Sequence, residues 1–97
     1  MSALMIALAT VNPEAKMAAA SYSEGVKPLL AKHNAKPIGR YALTEQLVGE
    51  HAANVLLQVE FESVDKIKAF LDSEDYQALI PLRDEGFLSM QIYASAE

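Results

Sequence analysis

Five side chains in this 97-residue chain carry most of its capacity for chemistry: Tyr22, His33, Arg40, Tyr76 and Arg83. Tyr76 and Arg83 are seven residues apart, so a continuous helix sets them on one face, with Pro81 between them as an interruption. From there Arg83 is suited to clamp a carboxylate or phenolate, or to pair with Asp84, Asp72 or Glu74. Tyr22 falls on the inward stripe of the first helical segment, where a buried hydroxyl needs a partner, either a ligand or a polar group at the core edge. His33 closes the same stripe, as a general base near neutral pH or as a cap on the negative end of the helix dipole. Reflecting the central hairpin about Glu50 sets Arg40 opposite Glu60 and Ile38 near Glu62. Arg40 then forms a cross-strand ion pair or, with Gln58 and Glu60, lines a cavity. The candidate catalytic residues are thus His33 and Arg83, and the candidate ligand-binding residues Tyr22, Arg40 and Tyr76.

Other chemistries are excluded more simply. With no cysteine, disulfides, thiolate zinc sites and cysteine nucleophiles are all unavailable. The two histidines, His33 and His51, stand apart without a carboxylate cluster, and His51 sits beside Glu50 in a hairpin turn where solvent is its natural partner. No metal is expected. Neither a glycine-rich phosphate loop nor a nucleophile elbow occurs, so nucleotide cofactors are not expected, and haem finds no motif. A net charge of −5 with two arginines leaves no basic stripe for nucleic acid or an anionic membrane. The opening apolar run is too short to span a bilayer and lacks the flank and cleavage site of a signal peptide, which points to a cytoplasmic protein.

The elements that must position these side chains follow from patterning. Residues 3 to 11 read as a strand that is apolar on both faces, closed by Asn12-Pro13. A helix is expected from about Pro13 to His33, with Asn12 as its cap and a kink or break near Gly25 and Pro28. Asn34 suits the left-handed residue that ends it. Strand two falls within residues 37 to 47 and strand three within 54 to 61, where Val55, Leu57, Val59 and Phe61 alternate with Leu56, Gln58 and Glu60. Ser63 opens a second helix, Ser73 restarts a shorter one, and Pro81 ends it or begins one last turn. The closing strand begins after Gly86, with Leu88, Met90 and Ile92 opposing Phe87, Ser89, Gln91 and Tyr93.

This order, β-α-β-β-α-β in one domain over residues 1–97, is the split βαβ signature of an α+β, ferredoxin-like fold. Its four-stranded antiparallel sheet carries both helices on one face. The opposite face would hold Leu56, apolar side chains of strand one, and Leu88, Met90 and Ile92 or their alternates, a patch larger than a monomer usually exposes. A homodimer through the sheet faces would bury it.

The stretches ALATVNPEA, VEFESVDKIKAFLDSEDYQALIPLR and the closing strand resemble the domain-of-unknown-function family 1330, most specifically over Ser73 to Arg83. The resemblance covers nearly the whole chain and implies the dimeric α/β-barrel superfamily, hence the same fold and dimerisation. Relatives in that superfamily include cofactor-independent monooxygenases, muconolactone isomerases and haem-binding peroxidases, so the fold alone fixes no reaction. Where the family usually carries a Gly-Gly pair before strand two, this chain has Asn34-Ala35, then Lys36-Pro37. Two functions are therefore carried forward. One is a dimer binding a small organic molecule between sheet and helices, including as a cofactor-independent enzyme; the other is a non-catalytic structural or stress-associated homodimer.

Overall fold

The computed structural model describes residues 2–50 and 52–96. His51 lies outside the described residues. The elements run β1 (Ala3–Val11), α1 (Lys16–Lys32), β2 (Lys36–Ala42), β3 (Val55–Phe61), α2 (Val64–Asp72), α3 (Glu74–Gln77), α4 (Ile80–Gly86) and β4 (Phe87–Ala96). All strand pairs are antiparallel, and the sheet order is β2-β3-β1-β4. This is the ferredoxin-like arrangement, with the second helical segment divided into three short pieces.

Local chemistry explains most of the boundaries. Ser63 caps α2 by accepting from the Lys66 amide, and Ser73 caps α3 by accepting from the Tyr76 amide. At the end of α1, Asn34 takes a positive φ of 57°. Its amide bonds the Ala31 carbonyl and the Ala35 amide bonds Leu30, the paired closure that a left-handed residue permits. Asparagine here does what a glycine would otherwise do.

The first helix needs correction. The first helix begins at Lys16 rather than Pro13, because Asn12 Oδ1 accepts from the Glu14 amide in a tight turn and so does not cap the helix. It then continues through Gly25 and Pro28 as one element. Of the two readings of Pro81, the second holds: it sits in the first turn of a helix that reaches Gly86. Gly86 is required there: a Cβ would run into the backbone of Ala18 and Ala19, so this glycine lets α4 and α1 touch.

The core lies between the sheet and the helices. Ala3, Met5, Ala7 and Ala9 of β1 and Val59 and Phe61 of β3 are buried against Tyr22, Val26 and Leu30 of α1 and Ile67, Phe70 and Tyr76. On the other face Leu4, Ile6, Leu8 and Leu56 remain half-buried, beside exposed Tyr41, Leu88 and Tyr93. The face of β4 also differs from expectation. A register shift at Thr10/Val11 pairs Thr10 with Ser89 but Val11 with Phe87. Phe87, Met90 and Ile92 therefore all pack on the core, and Leu88, Ser89, Gln91 and Tyr93 turn outward.

The β2–β3 register moves Arg40. Lys36, not Arg40, stands opposite Glu60, and Arg40 stands opposite Leu57, with a bulge at Ile38. The hairpin turns about Val48-Gly49, where Gly49 has φ 108°, not about Glu50. The change of turn centre by itself displaces Arg40 by three positions, from Glu60 to Leu57, and the bulge shifts only Pro37 and Lys36 beyond it. An odd displacement reverses the face, so Arg40 joins the helix side while Gln58 and Glu60 stay on the open side. The expected Arg40–Glu60 pair does not form.

Candidate functional site

The helix side of the sheet is not uniformly filled. Toward one end, Phe61, Phe70 and Tyr76 interlock, with ring centroids 5.5 Å and 5.2 Å apart along the series. Toward the other, the central strand offers only the methyl groups of Ala7 and Ala9, and a chamber of about 80 Å³ opens above them. Tyr22, Arg40, Tyr76 and Met90 are among its lining residues. It abuts an open groove of about 600 Å³ between the α3–α4 segment and β4, which Arg83 and Asp84 help to line. Leu71, Tyr76, Phe87, Met90 and Ile92 border both spaces.

Tyr76 is the pivot between them. It is 2% exposed, and its hydroxyl lies 2.8 Å from that of Tyr22. Arg83 Nη1 donates to the same Tyr76 oxygen at 3.2 Å, with the guanidinium carbon 5.9 Å from the ring centroid. The seven-residue spacing thus brings Tyr76 and Arg83 together even though α3 and α4 are separate helices. Arg83 also meets Asp84 through Nε at 3.5 Å. Burial raises the Tyr22 hydroxyl well above the ordinary tyrosine range; the bond to Tyr76 adds to the rise and the Arg83 charge opposes it. Tyr22 is therefore a neutral donor across the physiological range.

Of the five residues singled out from sequence, Tyr22, Arg40 and Tyr76 share the chamber, and Arg83 reaches it through Tyr76. His33 stands apart. Its half-buried ring packs edge-on against Phe70, 5.4 Å between centroids, and it lines neither chamber nor groove. Ala7 and Ala9 escaped the sequence reading. Alanine is a weak strand former, so finding it repeatedly on the inward side of one strand was the available signal that something other than packing occupies that space. Among the described residues no cluster of histidine, aspartate and glutamate is arranged to hold a metal. No helix among them is long and apolar enough to cross a membrane.

A family model described as "Domain of unknown function (DUF1330)" matches residues 2–94. Among solved structures, a protein of unknown function from Rhodopseudomonas palustris is similar with a TM-score of 0.81 and 14% identity, over 96% of this chain and 79% of that one. A dimeric protein of unknown function with a ferredoxin-like fold from Bacteroides fragilis has a TM-score of 0.67 and 20% identity, over 99% and 96% of the two chains. SnoaB, a cofactor-independent oxygenase from Streptomyces nogalater, has a TM-score of 0.70 and 9% identity, over 99% and 92%. No curated protein matches the chain. At such identities the likeness establishes the fold.

Proposed function

The chain belongs to the DUF1330 family, whose function is unknown, and from that premise we propose that it binds a small organic molecule in the chamber between sheet and helices. One observation carries the reading. A charged guanidinium is linked through two buried tyrosine hydroxyls to the wall of a largely apolar chamber. Such a relay is more than packing needs, because phenylalanine would fill the same volumes without burying hydroxyls that require partners. Tyr22, Tyr76 and Arg40 contact the ligand, and Arg83 acts through Tyr76. Donors polarised in this way are what a cofactor-independent enzyme uses to stabilise charge developing on a carbonyl oxygen.

The same proposal includes a homodimer through the open sheet face, working in the cytoplasm. Leu4, Ile6, Leu8 and Leu56 form a contiguous apolar strip there, and a second sheet would cover it. A chain without cysteine is compatible with a reducing compartment.

Thermal shift against a metabolite library tests the ligand site. A compound at a hundredfold its dissociation constant adds about 2.7 kcal/mol, and filling the chamber with Ala7→Leu should abolish that gain. If no compound stabilises the protein, or if the gain persists in Ala7→Leu, the chamber is not the site. Ultracentrifugation tests the dimer: twice the 10.6 kDa chain mass is expected, falling to one chain in Ile6→Glu. A wild-type chain that sediments alone would remove that part of the reading.

A further inference from the structure

The chamber has two polar ends of different character. Across the helix side of the sheet one row runs Arg40, Leu57, Ala7, Ile92. Arg40 therefore stands on the β2 edge and Ile92 on the β4 edge, three strand spacings or roughly 14 Å apart at the backbone. The Tyr22 hydroxyl lies over the β4 edge, 3.8 Å from Met90 Sδ. Between the ends the walls are apolar, including Ala7, Val26 and Leu57.

At the β4 end one arrangement of hydrogen bonds gives every donor an acceptor. A guanidinium only donates, so the Tyr76 oxygen accepts from Arg83. With its own hydrogen on the Tyr22 oxygen, the hydroxyl partner at 2.8 Å, every hydroxyl hydrogen of the pair has an acceptor. The Tyr22 hydrogen is then left on the thioether of Met90, a weak acceptor. A ligand oxygen with free lone pairs would be a better one.

At the β2 end the need is for negative charge. Among the described residues no hydrogen bond or ion pair holds the Arg40 guanidinium. The groove outside it is lined by Lys16, Lys27 and Arg40 against Glu24, three cations to one carboxylate in a chain of net charge −5. That local reversal of sign draws anions to this mouth.

Resting on the chamber as a ligand site, we infer that its ligand is a short oxo-carboxylate, with the carboxylate on Arg40 and the carbonyl oxygen on Tyr22. Size agrees. A space of about 80 Å³ takes roughly half a dozen water-sized groups, which suits a chain of a few carbons with its carboxylate at the mouth.

The experiment is a set of NMR titrations of the full chain with levulinate, hexanoate and 2-hexanone, which have similar length and differ in the carboxylate or the ketone. Levulinate should bind at least tenfold tighter than either. Its advantage over 2-hexanone should vanish in Arg40→Gln, an exposed edge position that separates binding from folding. Its advantage over hexanoate should vanish in Tyr22→Phe. Should the three bind alike, and Ala7→Leu abolish all binding, the chamber stands as a ligand site and the two-ended assignment falls. No binding by any of them also overturns the assignment, and the metabolite screen then decides the broader reading on its own.

Discussion

The space between sheet and helices contains two regions built by the same elements to opposite ends. Where Val59 and Phe61 face Ile67, every side chain is buried and none borders the chamber. Where Ala7 and Ala9 face Tyr22 and Val26, the strand carries only methyl groups and a chamber remains. The side chains that the sheet offers differ in size between the two: valine and phenylalanine in one, alanine in the other. Hydroxyls mark the difference as well: the filled region is hydrocarbon, and the tyrosine pair lies at the boundary, with Arg83 behind it.

Opposite mutations should separate the two regions. Removing volume from the filled part by Phe61→Ala is expected to cost about 3–5 kcal/mol, read by urea denaturation. Adding volume to the hollow part by Ala7→Leu should change stability by no more than about 1 kcal/mol, because the new side chain enters existing space. A large loss in Ala7→Leu would mean that the chamber is already packed.

At the boundary, Tyr76→Phe removes the one oxygen that both Arg83 and Tyr22 use. Two polar groups each lose one partner, Arg83 keeping Asp84 and Tyr22 keeping Met90, and a loss of about 1–3 kcal/mol is expected by the same measurement. An unchanged midpoint would show that solvent replaces the relay without cost.

Alkaline pH gives a finer test. Both folded and unfolded Tyr22 are neutral below about pH 10. Above that the unfolded phenol ionises while the buried one keeps its proton, because burial raises it. The folded state then binds the extra proton, so stability falls with rising pH by about 1.4 kcal/mol per unit for this group. Tyr22→Phe should show a shallower decline between pH 10 and 11.5. Parallel curves would indicate that the hydroxyl titrates as an exposed tyrosine does.

Much of this arrangement was legible before any coordinates. The bounds of β1, the alternation of β3 and the serine caps at 63 and 73 are local signals, and local chemistry preserves them. The facing of Arg40 was not. It depends on a turn centred half a residue before Gly49, one and a half residues from Glu50, and that small difference moves every partner by three positions. The meeting of Tyr22 with Tyr76, 54 residues apart, depends on how three short helices dock and has no signature in spacing. His33 shows the converse: a periodic stripe placed it inward correctly, yet the aromatic ring waiting there belongs to Phe70.

The most direct measurement uses methionine methyl groups as reporters. Met5 and Met90 line the chamber, and Met17 is 85% exposed on α1. In spectra of protein labelled at the methionine methyls, xenon under pressure should shift Met5 and Met90, leave Met17 in place, and lose its effect in Ala7→Leu. Unmoved Met5 and Met90 signals at saturating xenon would contradict the account, because they would mean that no space exists where the ligand is said to bind.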